Sequence, residues 1–197
     1  MNNKYIKMLS SSDSLDRADA IEALAKDIDN EKIKDLIKEH VNDRNYLVRC
    51  EVYEALGSCN DISLLEILAE RLKSEKNKIA KMYLISAIAD TIDKQNATDK
   101  IVQQINNARQ KEENINALLA YECLYYKIDG KTEHVKNVLQ ELNNTYYHIR
   151  CNVINLLADI VDDVNKKIII DAYKSHLQNG DVLCVTELLN DEIARIG

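Results

Sequence analysis

The chain has 197 residues, 46% of them apolar, and a formal charge of −7. It contains no proline, four glycines, no Phe and no Trp, so its ten tyrosines are its only aromatics apart from four histidines. The scarcity of proline and glycine argues against a β-rich fold, and an acidic balance without a basic run argues against binding to phosphate backbones.

Taken along the chain, one phrase keeps returning. The first dozen residues, ending in Ser10-Ser11-Ser12, read as frayed. A helical phrase then runs over 17–24, followed by an amphipathic segment over 31–42. The phrase recurs most clearly as Val48-Arg49-Cys50-Glu51-Val52-Tyr53-Glu54-Ala55-Leu56-Gly57 and is followed by a segment over 61–73. It recurs over 80–88, then a segment over 97–110, and over 115–123, then a segment over 132–143. It is strong again as Ile149-Arg150-Cys151-Asn152-Val153-Ile154-Asn155-Leu156-Leu157-Ala158, followed by a segment over 164–178, and it ends over 182–189. With X as the basic position, X falls at 17, 49, 81, 116, 150 and 182. A period of this size signals stacked supersecondary units that bury their apolar faces against one another.

Within each phrase the apolar or small residues stand at X+3 and X+7: Ala20 and Leu24, Val52 and Leu56, Leu84 and Ile88, Leu119 and Cys123, Val153 and Leu157, Val185 and Leu189. This is one stripe of a 3.6-residue helix. Each unit is therefore a helical hairpin, and the polar junctions at 42–45, 74–77, 110–114 and 143–145 supply Asp and Asn caps. Gly130 stands where a helix C-terminal cap is needed.

The pattern Asp43-(x)4-Val48-Arg49-(x)2-Val52-(x)2-Ala55-Leu56-Gly57, and Ile149-Arg150-(x)2-Val153-(x)3-Leu157-Ala158, resembles the second helix of a HEAT repeat. The resemblance covers nearly the whole chain and is weakest in the fourth unit, where Asn116 stands at X, and in the last. It implies an all-α superhelical solenoid of about six HEAT-like hairpins in a single domain, 1–197. It also implies that the cation at X joins a ladder with the turn acid of its own or a neighbouring repeat, with Asp43 the natural partner of Arg49, and that the second helices line a concave side.

Chemistry is sparse in the sequence. The histidines at 40, 134, 148 and 176 lack metal-ligand spacing, no phosphate-binding glycine loop exists, and Glu112-Glu113 and Asp162-Asp163 are adjacent acids that point different ways on a helix. No catalytic residue, metal or cofactor is expected. The five cysteines, with no Cys-x-x-Cys pair, read as reduced thiols of a cytoplasmic protein; no secretory leader or membrane span is read from the sequence.

What remains is the face opposite the apolar stripe, at X+2, X+5 and X+9. Its eighteen positions carry eight acids and one base. The candidate partner-binding residues are Glu51, Glu54, Tyr83, Asp90, Leu118, Tyr121, Tyr125, Asn152, Asn155 and Asp159. An aromatic centre with a charged rim is the usual build of a binding surface. The expected function is non-enzymatic binding of a basic protein partner, with neither nucleic acid nor membrane as ligand; one concrete form is an immunity-type inhibitor of a basic toxin, another a general adaptor or assembly factor. Two enzymatic alternatives use HEAT-like folds, a DNA glycosylase acting on alkylated bases and a bilin lyase; the acidic face speaks against the first.

Overall fold

The computed structural model describes residues 2–59 and 61–197. Among these residues all regular structure is helical, and the chain divides into two compact units that meet between Glu112 and Glu113.

The N-terminal unit holds α1 (Asn2–Met8), α2 (Ser14–Ala25), α3 (Glu31–Lys38), α4 (Tyr46–Ser58), a 3-10 turn (Ile62–Leu64) running into α5 (Leu65–Arg71), α6 (Lys78–Thr91) and α7 (Asp99–Arg109). The phrase helices α2, α4 and α6 stack side by side, α3 packs on α2 and α4, and α5 packs on α6 and α7. The C-terminal unit holds α8 (Ile115–Asp129), α9 (Thr132–Gln140) with a 3-10 extension (Glu141–Asn143), α10 (Tyr147–Ala158), α11 (Lys166–Asn179) and α12 (Leu183–Ile196). There α10 packs on α8 and α12, with α9 and α11 alongside. The alternation of phrase helix and amphipathic segment is the one expected from the sequence. The frayed start is corrected: 2–8 form α1, which packs on α2 and is followed by the buried Leu9.

The caps explain where the helices begin. Asp13, Asn30, Asn45, Asn77 and Asn114 each accept a hydrogen bond from the backbone N–H two residues on, at the N-termini of α2, α3, α4, α6 and α8, satisfying donors that a helix start leaves open. Gly130 closes α8 at φ 70°, as its position in the sequence predicts.

Every residue at X+3 and X+7 is buried. Position X+4 joins the same stripe through Ile21, Tyr53, Ile85, Ala120 and Ile154. Burial thus keeps X at 116 in the fourth unit and 182 in the sixth. The caps follow a different count. X lies four residues after the cap in α2, α4, α6 and α10, but two after Asn114 in α8 and at the cap itself, Val182, in α12. Core register and cap register separate in these two helices.

One glycine is required by packing. Gly57 lies where α4 meets α6, and a Cβ built there would stand 2.8 Å from the Ala87 Cα and 3.0 Å from its Cβ. The first of these is backbone and yields only if the helices part. Gly57→Ala should therefore lower stability by about 1–2 kcal/mol, although alanine is worth about 1 kcal/mol more than glycine in a helix interior. Urea unfolding checks this; an unchanged or raised midpoint would show that the α4–α6 contact gives way freely.

Candidate functional site

The basic residues at X form a ladder that is read in the cap register. Arg17 of α2 donates through Nε and Nη2 to both Asp43 carboxylate oxygens at 2.8 Å, and through Nη1 to the Ser11 and Ser12 carbonyls. Arg49 of α4 makes the same fork on Glu75 at 2.7 Å and donates from Nη1 to the Asp43 carbonyl. Lys81 of α6 pairs with Glu112 at 2.7 Å. In the C-terminal unit, Arg150 of α10 forks on Asp181 and donates to the Asn144 and Thr145 carbonyls. Each arginine thus holds its own turn through a carbonyl and the next repeat through a carboxylate, while Lys81 is tied to the next repeat through its carboxylate. The expected pairing of Arg49 with Asp43 is corrected: the Asp43 side chain belongs to Arg17, and Arg49 takes only its backbone oxygen.

The acids of the ladder are themselves prepared. Asp43 and Glu75 each accept from the N–H of the cap residue two positions on. Glu75 is fully buried and also accepts from the Tyr53 hydroxyl at 3.0 Å. Burial pushes the Glu75 carboxyl up, but the Arg49 fork and the Asn77 N–H hold it below the ordinary value. Asp181, also opposed by burial, is held at about 2 by Arg150 and His176.

One rung is uncharged. Four residues after the Asn114 cap stands Leu118, and two before the Tyr146 cap stands Asn144. Both members of the ion pair are replaced together, so no charge is left buried without a counterion. At the first and last units the outward rung positions are the neutral Ser11 and Thr186.

On the opposite side of α2, α4 and α6 the sequence places its acidic face, and in the N-terminal unit the residues do converge. The Glu51 carboxyl is raised above its ordinary value by burial and then by Glu54, Glu22 and Asp19. Tyr83, 40% exposed, has its hydroxyl raised by burial and then by Glu54, Cys50 and Glu51. Asp90 is exposed, with its carboxylate 3.3 Å from the point where a Gly57 side chain would begin. Asp19 and Glu22, outside the named candidates, thus belong to the same patch; they stand at X+2 and X+5, the positions that carry Glu51 and Glu54.

In the C-terminal unit the expectations fare differently. Asn155 is exposed on α10, and Asp159 is exposed at its C-cap. Asn152 is half-buried and donates to the Asn116 side chain at 3.1 Å, tying α10 to α8. Leu118 is half-buried at the uncharged rung. Tyr125 is half-buried, its ring 5.5 Å from that of His134 on α9, and His134 in turn pairs with Glu122 at 2.9 Å. Tyr121 is fully buried, which corrects its placement at an exposed aromatic centre. The cause is the composition of α8: Ala117, Leu119, Ala120, Cys123, Leu124 and Tyr126 are buried too, and a helix apolar around most of its girth buries most of its girth. The exposed tyrosines of this unit are Tyr146 and Tyr147, 64% and 53% exposed, which flank the His148 ring at 5.6 and 5.9 Å. Their place at the start of a phrase helix, before the apolar stripe begins, was the available signal.

A shallow depression of about 250 Å³ lies between Asn144, Arg150, His176 and Asp181. Its charged groups are already spent on the Arg150 rung. Among the described residues no group of three or more His, Cys, Asp or Glu could hold a metal ion, and no helix is long and apolar enough to cross a membrane.

Comparison with known proteins agrees with this architecture. No curated protein matches the chain. The family model for HEAT repeats matches residues 3–89, the stretch that carries α1 to α6 and the first three cations of the ladder. Over this stretch of stacked, ladder-linked hairpins the chain is similar to the HEAT-repeat family.

Proposed function

We propose that the protein is a non-enzymatic binding module that takes a basic protein partner on the acidic face of α2, α4 and α6. HEAT repeats often mediate protein–protein interactions. The observation that carries the reading is the mutual repulsion on this face: Asp19, Glu22, Glu51 and Glu54 stand close enough to raise the Glu51 carboxyl, on a side that serves no ladder pairing. Like charges held together cost stability in the free protein, and a cationic surface relieves that cost. Tyr83 at the margin offers an amphipathic ring with little side-chain entropy to lose. An immunity-type inhibitor of a basic toxin remains the concrete form of this proposal, and the protein is read as cytoplasmic.

The test is capture of a partner from the native host, followed by surface plasmon resonance on the purified pair. Glu51→Lys with Glu54→Lys should slow association by about tenfold or more and flatten its salt dependence, because acids of this kind steer encounter. Helical circular dichroism should be unchanged. Association that is equally fast and equally salt-sensitive in the double variant would remove this face from the binding site. Tight, salt-sensitive binding to DNA would replace the proposal.

A further inference from the structure

Two of the five thiols stand together in the C-terminal unit. Cys151 lies on α10, next to Arg150, and Cys184 lies in the first turn of α12, three residues after Asp181. The Arg150 fork on Asp181 fixes the start of α12 against α10 at this level, and α10 and α12 pack along each other. Burial and then the neighbouring Cys184 sulfur raise the Cys151 thiol above its ordinary value, and both sulfurs lie close enough to Arg150 to act on its guanidinium. Cys184 is exposed and Cys151 half-buried. The remaining cysteines are differently placed. Cys50 and Cys123 are buried, with thiols pushed up to about 11 and about 12 by loss of solvation, which keeps them protonated and unreactive. Cys59 donates to the Leu56 carbonyl at 3.0 Å.

We propose that Cys151 and Cys184 form an oxidisable dithiol that closes to a disulfide between α10 and α12 under hydrogen peroxide or a low-molecular-weight disulfide. With peroxide, the exposed Cys184 thiolate attacks one oxygen and the O–O bond breaks; the sulfur becomes a sulfenic acid and the leaving hydroxide takes a proton to become water. The Cys151 thiol then gives up its proton as it attacks the Cys184 sulfur, the S–O bond breaks, and the proton leaves with the hydroxide as a second water. In sum two thiols and one peroxide give one disulfide and two waters. A glutathione-type disulfide reaches the same product by two exchanges, releasing two thiols. The rung that carries Arg150 limits how far the helices must move to meet disulfide geometry. The bridge would close a loop from 151 to 184 that contains all of α11. In a reducing compartment such a bond is transient and reports oxidant.

The experiment exposes the full-length reduced protein to equimolar hydrogen peroxide, and separately to a glutathione redox series, then maps tryptic peptides by mass spectrometry without reduction. Trypsin places Cys151 in the peptide 151–166 and Cys184 in the peptide 175–195. The expected result is these two peptides joined, lighter by two hydrogens, at a rate independent of protein concentration, and released by dithiothreitol. Cys59→Ser should keep the linkage and Cys184→Ser should abolish it. The oxidised protein should melt roughly 5–10 °C higher than the reduced one, as expected for a bridge closing a loop of this length. Separate adducts on Cys184 alone, linkage only between chains, or no oxidation of the pair would each overturn the proposal.

Discussion

Arg49→Ala should lower the unfolding free energy by about 3–5 kcal/mol at pH 7, the range for removing one member of a buried ion pair. The Glu75 side chain it leaves behind has no exposure. Arg71, at 3.4 Å, and the Tyr53 hydroxyl would remain as partners, but the two 2.7 Å bonds of the fork would be lost. The Asp43 carbonyl would also lose its donor. Replacing both ends together, Arg49→Met with Glu75→Leu, should recover a large part of the loss, because the penalty comes from the stranded charge rather than from the absent bond. The pH dependence has a definite sign. The folded Glu75 carboxyl sits below its unfolded value of about 4.5, so its contribution is complete above that value and is lost as pH falls through the folded one. The gap between wild type and Arg49→Ala should therefore narrow as pH falls below the unfolded value and through the folded one. Urea unfolding at pH 7 and pH 3 measures both. A gap under 1 kcal/mol at pH 7 would mean that water reaches Glu75 in the variant.

Tyr121→Ala should cost about 3–5 kcal/mol through the cavity it opens, while partner binding to the folded fraction stays at the wild-type level. The side chain is among the largest fully buried in the protein, in a helix with no charged residue before Glu122. Tyr83→Ala supplies the contrast. That ring is 40% exposed, so its loss should change stability by about 0.5 kcal/mol or less and weaken binding instead. If Tyr121→Ala melts like wild type, or Tyr83→Ala melts like Tyr121→Ala, the division between core and surface tyrosines is wrong.

These two tyrosines show where the sequence is readable and where it stops. Leu, Ile, Val and Ala recurring at X+3 and X+7 leave one interpretation, and Ala20 through Leu189 are all buried as that pattern requires. Tyrosine is different because it is at home on either side of a surface. Around Tyr83 the neighbouring outward positions are Glu54, Ser86 and Asp90, and the ring is exposed; around Tyr121 they are Leu118 and Tyr125, and it is buried. The whole girth of the helix decides, not the position within the repeat. The ladder met a second ambiguity. Asp43 stands six residues before Arg49 and 26 after Arg17; spacing along the chain favours the nearer cation, whereas the stacking of α2 on α4 brings the farther one across. The acidic patch was legible in Glu51 and Glu54 because charge at a repeated outward position needs no tertiary information. The nearness of Cys151 to Cys184 was not, since it joins X+1 of one repeat to X+2 of the next and depends on how α10 and α12 pack.

The ladder of the N-terminal unit is also a rule of interchange. Each repeat offers a cation forward and a carboxylate backward from fixed places, and Asp43 and Glu75 are equivalent in that role. Excising the 32 residues from Asp43 through Ser74 would set Arg17 before Glu75, again an arginine facing a carboxylate. Duplicating the same stretch would set the first Arg49 before the second Asp43 and the second Arg49 before Glu75. Either change alters the length of the array by one unit and strands no charge. A protein wired in this way can lengthen or shorten by whole repeats at the level of its gene, and thereby change how many acids it presents, without first inventing a new interface.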